Sequence, residues 1–335
     1  MKKETSSGII VFLIILLCAG ACLWYTKFYK KDAAAQNAAI NPTGNPSGFS
    51  TDDTGNLKGN RYIAALYVEG TIEDANSTYN QSWLLSTIKT LKNDDNNAAI
   101  AMYVNSPGGG VYQADEIYFA LKDYKNAGKK IYVYMGPLAA SGGYYISCPA
   151  DQIYANRNTL TGSIGVIAGQ LIDATELLDN AGIKIEAPHS GRNKLMGNFY
   201  TEITREQEEI MQSISDECYE QFVGIVAQNR NMSMDEVRKL ADGRVYTAAQ
   251  ALNNKLIDKI DTWDNMIYEL RIKELENQSC SVIVYRYVHK QTFRESLFGV
   301  ISDIQNKSVA AKLGLPLSVL NDMEGFNSYP AYLYR

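Results

Sequence analysis

Two glycine-rich strings, each placed between an apolar run and a helical pattern, constrain the fold of this chain more than any other feature. The first is Asn105–Gly110 (NSPGGG) and the second is Ala139–Tyr145 (AASGGYY). They follow the apolar runs Ala99–Val104 and Lys130–Met135, which predict strands. A strand that breaks at glycines and opens a helix leaves free backbone N–H groups at the turn, where an anion can bind.

The same alternation of strands and helices is predicted along the rest of the chain. Short apolar runs predict strands, and longer amphipathic stretches predict helices. This alternation is typical of an α/β fold with a largely parallel sheet covered by helices. The predicted strands are 61–68, 99–104, 130–135, 152–155, 163–167 and 281–288. The predicted helices are 82–92, 112–126, a short helix after Ser141, 204–228, 233–240, 248–253 and 265–275.

Ser141 stands where the helix after the second string begins, so its hydroxyl is a candidate nucleophile. The glycine turns would supply backbone donors for an oxyanion hole. A serine hydroxyl is a poor nucleophile until a base takes its proton. The chain has two histidines, His189 and His289, and neither lies in an obvious constellation with an acid.

A neutral lysine is the alternative base, because an apolar environment disfavours the charged ammonium and Ser–Lys pairs are a variant of the catalytic triad. The best candidate is Lys194 in the irregular string SGRNKLMG, where Leu195 and Met196 can cover the amine. Ser163 in the string TGSIGV begins an apolar run. Its hydroxyl is the candidate group that orients the lysine toward Ser141.

Each of these features has an ordinary structural explanation when it is taken singly. Pro-Gly-Gly is a turn signal, and a serine such as Ser141 is a common helix N-cap. Lys194 alone would be a surface lysine, and Ser163 alone a strand residue. Their ordered combination supplies a nucleophile, a base, an orienting hydroxyl and oxyanion donors, and it therefore favours an acyl-transfer site.

The strings NSPGGG, AASGGYY, TGSIGV and SGRNK, in this order, resemble the signal peptide peptidase A family of membrane-bound serine proteases, in its short single-copy form. The resemblance runs from about Arg61 to about Ile272 and includes the later string ADGRVYT, 241–247. The family belongs to the same broad clan as Clp protease and the crotonases. The resemblance thus implies a crotonase/Clp-protease-like superhelix of repeated ββα units, with an N-terminal transmembrane helix.

The resemblance also implies a role for each candidate site residue. The serine that matches Ser141 is the nucleophile, the lysine that matches Lys194 is the general base, and the match of Ser163 assists the lysine. The amide that matches Gly109 contributes to the oxyanion hole, and we assign the Gly142 amide as its second donor. No metal or organic cofactor is implied. The resemblance also implies ring- or dome-shaped homo-oligomers, and the sequence leaves open whether the lysine meets its serine within one subunit or across a subunit boundary.

The N-terminal region predicts a membrane anchor. Gly8–Tyr25 is an apolar stretch of 18 residues without a charge, and a spanning helix needs roughly 17 residues or more. Cleavage after the Ala-Gly-Ala of 19–21 and lipidation at Cys22 are alternatives to an uncleaved anchor. The predicted organisation is an anchor over 1–30 with its transmembrane helix at 8–25, a flexible linker over 31–60, a Ser–Lys protease domain over 61–290, and a C-terminal extension and tail over 291–335.

Charge and cysteine content exclude several partners. The net charge of −5 does not suggest a nucleic-acid partner, and five cysteines without a C-x-x-C pair do not suggest a zinc site. The lysines that flank the apolar stretch slightly favour a cytoplasmic body. The family resemblance instead favours an extracytoplasmic body. We follow the resemblance and predict a single-pass protein of the cell membrane with an extracytoplasmic catalytic domain.

The predicted function is that of a membrane-anchored serine endopeptidase that degrades apolar, membrane-derived peptides such as cleaved signal peptides. Three alternatives remain open on the sequence: a crotonase-like acyl-CoA enzyme, a non-catalytic membrane-anchored scaffold, and a general quality-control protease of the membrane. The Tyr-rich tail, Phe326–Arg335, is expected to be a disordered or packing end. The alternative for the tail is that it reaches a substrate groove, because such a groove binds apolar extended peptides.

Overall fold

A computed structural model describes residues 61–277 and 280–289, together with the backbone of Ala331–Leu333. The predicted anchor, the predicted linker and the remainder of the C-terminal extension lie outside the described residues. Among the helices of the described part, none combines the length and the apolar character that crossing a membrane requires. The transmembrane helix over 8–25 therefore stays a prediction.

Strands and helices alternate along the described chain, as the apolar pattern predicts. In chain order they are β1 (Tyr62–Glu69), α1 (Gln81–Asn93), β2 (Asn97–Ser106), β3 (Gly108–Gly110), α2 (Val111–Asn126), β4 (Lys130–Ala140), α3 (Gly142–Ser147), β5 (Gln152–Ala155), β6 (Leu160–Gly162), α4 (Thr175–Asn180), α5 (Arg205–Arg230), α6 (Met234–Leu240), β7 (Val245–Thr247), α7 (Ala248–Asn253), β8 (Lys259–Ile260), α8 (Trp263–Glu269), a π-helical turn (Leu270–Glu274), β9 (Ser281–Tyr285) and β10 (Ala331–Leu333).

The described strands form one large sheet and one small one. The large sheet has the order β7-β6-β4-β2-β1-β9, and β5 pairs with both β4 and β8 beside this path. All of its pairs are parallel except β6 with β7. The small sheet consists of β3 and β10. The predicted α/β class with a largely parallel sheet is therefore confirmed.

Apolar layers cover both faces of the large sheet. The larger layer contains Leu66, Met102 and Val133 and packs under the helices α1, α2, α3 and α5. The smaller layer contains Ala101 and Tyr154 and packs against α8. Because both faces are buried, the central strands have nearly continuous apolar sequences rather than alternating ones. This explains why short apolar runs located β1, β2 and β4 in the sequence.

The predicted strand over 163–167 is wrong. The strand is β6, and it ends at Gly162, immediately before the predicted start. Ser163 has a φ of 51°, and a regular strand has negative φ. Ile164 is buried as the apolar run suggests, but in the larger apolar layer and without a strand partner. An apolar run therefore predicted burial correctly and backbone conformation incorrectly.

Candidate active site

Ser141 lies at a sharp turn between β4 and α3. Its φ of 55° and ψ of −118° are rare for a residue other than glycine. Two hydrogen bonds hold the turn: the Ser141 N–H donates to the Gly162 carbonyl at 2.7 Å, and the Tyr145 N–H donates to the Ser141 carbonyl at 2.9 Å. The turn therefore projects the serine side chain from a fixed position between the sheet and the helix.

The two glycine-rich strings meet at this turn. A Cβ atom on Gly143 would lie 2.8 Å from the carbonyl oxygen of Ser106, a distance that real Cβ atoms essentially never show. The second string therefore needs glycine at this position because the first string approaches it so closely. The structure brings together two segments that the sequence places apart, and both are required for the expected chemistry.

The hydroxyl of Ser141 is buried and unpartnered. Within residues 61–277 and 280–289, Oγ of Ser141 is the one buried side-chain polar atom without a hydrogen-bond partner. Leaving such a group unsatisfied costs on the order of 1–3 kcal/mol, so an orphaned hydroxyl requires an explanation. A nucleophile that waits for its base and substrate provides one.

Backbone donors lie beside the serine on strand β3. The Gly108 N–H donates to Ser106 Oγ at 3.1 Å, and the Gly110 N–H donates to the Ile72 carbonyl at 2.8 Å. Hydrogen-bonding groups of successive residues point to opposite edges of a strand, so the Gly109 N–H faces away from Ile72. The Gly142 N–H is in the first turn of α3, where helical N–H groups have no intrahelical acceptor. Gly109 and Gly142 therefore stay the predicted oxyanion donors.

Ser163 lies next to Ser141. It is buried, and it directly follows Gly162, whose carbonyl accepts the N–H of Ser141. The Ser163 N–H donates to the carbonyl of Arg244 at 2.8 Å, and the Gly243 N–H donates to the Ile164 carbonyl at 3.1 Å. The string ADGRVYT, which the sequence reasoning left without a role, therefore holds Ser163 in its left-handed conformation. The only sequence signal for this contact was that ADGRVYT follows the other strings in the order that the resemblance implies.

Lys194 is not brought to the serine within one chain. It is exposed and lies in a turn, where its N–H donates to the Gly191 carbonyl at 3.0 Å. Within the described part of a single chain, its side chain makes no hydrogen bond to Ser141 or Ser163. The surrounding segment, 167–199, also exposes large apolar side chains, namely Ile167, Ile172, Leu177, Ile183, Ile185 and Phe199.

Cys148 is the other potential nucleophile near the turn. It directly follows α3, is fully buried, and its Sγ donates to the Tyr144 carbonyl at 3.3 Å. Burial raises the pKa of the Cys148 thiol to about 12. The thiol is therefore protonated at neutral pH, and a protonated buried thiol is not reactive. Ser141 has no competitor at this position.

Strand β10 lies on the free edge of β3. It pairs in antiparallel register, with Ala331 opposite Gly110 and Leu333 opposite Gly108. Because Ile72 occupies one edge of β3, the tail adds to the other edge, on the side of the Gly109 N–H. The sequence favoured a disordered or packing end for this tail. In its described residues, Ala331–Leu333, the tail packs as a strand beside the candidate site, and the alternative that it reaches a substrate groove stays a prediction.

These features define a class. A strained, buried serine at a strand-to-helix turn, beside glycine N–H donors, is the arrangement of a serine hydrolase. Among the described residues, no group of three or more His, Cys, Asp or Glu side chains is arranged to hold a metal ion.

Comparisons with known proteins identify the family. The family model of Peptidase family S49 matches residues 123–277. A putative signal peptide peptidase SppA of Enterococcus faecium is 35% identical over 234 residues, which cover 68% of this chain and 67% of that protein. A putative protease of Synechocystis sp. is 36% identical, over 60% of this chain and 70% of its own. The chain belongs to peptidase family S49, a family of serine proteases.

A structural comparison adds a weaker likeness. A ClpP1 mutant from Listeria monocytogenes aligns with a TM-score of 0.41 and 18% sequence identity, and the alignment covers 61% of this chain and 94% of that chain.

Proposed function

We propose that this protein is a membrane-anchored serine endopeptidase with a Ser–Lys dyad, which degrades apolar, membrane-derived peptides such as cleaved signal peptides. The observation that carries the proposal is the buried, unpartnered hydroxyl of Ser141 at its strained turn. Membership of peptidase family S49 favours peptide hydrolysis over the acyl-CoA and scaffold alternatives. The name of the Enterococcus faecium relative supports the substrate class.

In the proposed reaction, Lys194 takes the proton of Ser141 as Oγ attacks the scissile carbonyl carbon. The oxyanion that forms accepts hydrogen bonds from the N–H groups of Gly109 and Gly142. The Oγ–C bond of the acyl-enzyme forms as the C–N bond breaks, and the lysine delivers its proton to the leaving amine. Water then releases the acyl group. Removal of one oxyanion donor typically costs about 3 kcal/mol in the barrier.

The lysine is proposed to come from a neighbouring subunit of a ring- or dome-shaped homo-oligomer. Two features of the single chain support this arrangement. Lys194 is exposed rather than desolvated, and the segment that carries it exposes six large apolar side chains. A partner that covers this segment would bury those side chains and would also create the apolar environment in which a lysine becomes neutral.

Peptide substrates are proposed to bind as an added strand on β3. An extended peptide can use the main-chain groups of an exposed strand edge, and side-chain pockets then give specificity. The antiparallel pairing of Ala331–Leu333 with Gly108–Gly110 supports this mode, because it shows an extended segment bound along this edge of β3. In this register the added strand runs from its pairing with Gly110 to its pairing with Gly108, and therefore toward Ser106 and the turn at Ser141.

The proposal also includes the crotonase/Clp-protease-like superhelix and the position in the cell. We place the protein in the cell membrane through its N-terminal segment, with the catalytic domain outside the cytoplasm. The uncharged stretch of 18 residues at Gly8–Tyr25 supports the anchor. Protease accessibility of the body in intact, wall-stripped cells tests the orientation, because only an extracytoplasmic body is digested.

Hydrolysis of apolar fluorogenic peptides by the full-length protein in detergent tests the reaction. We expect the Ser141→Ala variant to lose activity and to lose labelling by a fluorophosphonate. The Ser147→Ala variant is the matched control, because Ser147 is also buried on α3 but its hydroxyl donates to the Gly143 carbonyl at 2.8 Å. Equal activity of the wild type and Ser141→Ala would contradict the proposal. Absence of activity in a folded wild type would favour the scaffold alternative.

A further inference from the structure

Tyr145 makes a side-chain network that the proposed reaction does not use. Its ring is fully buried one turn after Ser141. Its hydroxyl donates to Asp115 Oδ1 at 2.7 Å and accepts a hydrogen bond from Gln221 Nε2 at 2.9 Å. Tyr145 is on α3, Asp115 is on α2 and Gln221 is on α5, so a single hydroxyl joins three helices.

Two of the three helices carry parts of the site, and the third follows the segment that carries the proposed base of a neighbouring subunit's site. Helix α3 begins at the nucleophile turn, and α2 begins directly after the glycine strand β3 that presents Gly109. Helix α5 begins after the segment that carries Lys194. The hydroxyl of Tyr145 therefore joins the support of the nucleophile to the support of the oxyanion donor, and links both to the helix that follows the Lys194 segment.

The aromatic ring of Tyr145 contacts the same two neighbouring helices. Its centroid is 5.7 Å from that of Tyr118 on α2, edge to face, and 5.0 Å from that of Phe222 on α5. Such pairs add packing energy beyond simple burial. The ring contacts hold α3 in the core, whereas the directional hydrogen bonds determine its rotation and its distance from α2.

Helix α3 needs such external support because it has only six residues. Isolated helices of this length are not stable in water, so tertiary contacts must define its orientation. On its other side, the Tyr144 hydroxyl donates to the Leu256 carbonyl at 2.8 Å. Two consecutive tyrosines therefore tie the helix in different directions. Tyr145 is the one that ties it to the support of the oxyanion strand.

We infer that Asp115, Tyr145 and Gln221 form a positioning network that sets the distance between the Ser141 hydroxyl and the Gly109 N–H. The inference rests on the roles proposed above for Ser141 and Gly109. In acyl transfer, a misplacement of about 1 Å can cost on the order of 100-fold in rate, because the attack trajectory and the oxyanion contacts both depend on it. None of the three side chains needs to touch the substrate.

The Tyr145→Phe variant of the full-length protein tests the network, because it removes only the hydroxyl. We expect kcat for an apolar peptide to fall by about 10- to 100-fold with KM nearly unchanged. The matched control is Tyr124→Phe. Tyr124 is a fully buried tyrosine at the other end of α2, and its hydroxyl donates to Asn97 Oδ1 at 2.5 Å. We expect this control to lose stability while it keeps its kcat.

Two further variants keep the test decisive if Tyr145→Phe fails to fold. Asp115 is half-buried and Gln221 is exposed, so substitutions there leave the core intact. We expect Asp115→Asn, which keeps an acceptor, to retain most of the kcat. We expect Asp115→Leu to reduce kcat as much as Tyr145→Phe does. The double variant Tyr145→Phe/Asp115→Leu should reduce kcat no more than either single variant.

Equal kcat values for Tyr145→Phe, Tyr124→Phe and the wild type would overturn the inference and leave the proposed function intact. Additive losses in the double variant would overturn it as well, because they would assign each residue an independent effect. An inactive wild type that is not labelled at Ser141 would overturn the proposed function, and the positioning network with it.

Discussion

At the scale of single residues, the glycines of β3 are as constrained as the serine. A Cβ atom on Gly109 would lie 1.9 Å from the carbonyl oxygen of Ile72, which is backbone and cannot move aside alone. Any larger residue must therefore push β3 away from its partner. The requirement for glycine comes from the close approach of two backbones and not from a positive φ at this position.

The Gly109→Ala variant is expected to reduce kcat by about 100-fold or more, because displacement of β3 removes the alignment of an oxyanion donor. Fluorogenic peptide hydrolysis measures the effect. Gly224→Ala is the matched control. Gly224 lies in helix α5, and a Cβ atom there would meet only Met234 Sδ, at 4.0 Å. An unchanged kcat in Gly109→Ala would remove Gly109 from the oxyanion hole.

Residue-scale sequence reasoning reached Ser141, Ser163, Gly109 and Gly142, which the structure brings together. It located these residues because glycine strings mark turns whose geometry is local, and their catalytic roles stay predictions. It could not place Lys194 beside Ser141, because spacing along a chain does not determine distance across a surface. The Ser141–Lys194 dyad therefore remains a prediction. Any such dyad must bring in a lysine that is exposed in the single chain.

At the scale of elements, β10 is a competitor for the edge that a peptide would use. Deletion of the last five residues, 331–335, is expected to lower KM for apolar peptides, because it frees the β3 edge. The Tyr332→Pro variant should act in the same direction, since proline cannot donate to a strand partner. Kinetics at low substrate concentration measure the change. Unchanged KM in both variants would contradict strand addition on β3.

A second element-scale prediction concerns the attachment of α8 to β5 and β8. The Glu269 carboxylate accepts hydrogen bonds from Lys259 at 2.5 Å, from Lys273 at 2.9 Å and from the hydroxyl of Tyr154 at 2.8 Å. The two lysines, with Lys259 first, lower the pKa of Glu269 from its usual 4.5 to about 2. Its contribution to stability is therefore present above pH 4.5 and is lost as the pH falls through 2.

The difference in unfolding free energy between the wild type and Glu269→Gln should therefore be constant above about pH 4.5 and should shrink toward pH 2. Urea titrations at a series of pH values measure it. The control is Glu116→Gln, an exposed carboxylate on α2 without an ion pair in the described part of the chain. A difference that grows on acidification would contradict the assignment.

Element-scale sequence reasoning placed the long strands and helices well, within a few residues. It missed the short strands β3, β6, β7, β8 and β10, which have two or three residues each and no periodicity to detect. It also extended a strand through Ser163, because an apolar run indicates burial but not backbone conformation. Among them, β3 and β6 lie beside Ser141, and such short strands exist only through pairing with distant segments.

At the scale of the whole molecule, a single chain presents Ser141 without its proposed base, because Lys194 is exposed and makes no hydrogen bond to it in the described part of the chain. Mixing inactive Ser141→Ala and Lys194→Ala subunits, followed by co-refolding, is expected to restore part of the activity, because some interfaces then combine an intact serine with an intact lysine. Peptide hydrolysis measures the recovery. Each variant refolded alone is the negative control, and no recovery would contradict a dyad formed between subunits.

The exposed apolar side chains lead to a second prediction at this scale, which concerns the assembly. If the segment that carries Lys194 is an interface, Leu177→Asp should reduce the mass of the assembly in light scattering, because a charge cannot be buried there without a partner. Glu176→Gln, at the neighbouring exposed position, should leave the mass unchanged. Equal masses for both variants would place the interface elsewhere.

The sequence by itself determined the α/β class, the order of the main elements, and the turns at which Ser141 and the glycines lie. These follow from periodicity and glycine content, which act over a few neighbouring residues. Only the tertiary structure decided that Gly109 lies against Ile72, that the string ADGRVYT supports Ser163, and that Lys194 is exposed. The physical reason is that hydrogen bonding and burial depend on segments distant in the chain, whose meeting no local pattern encodes.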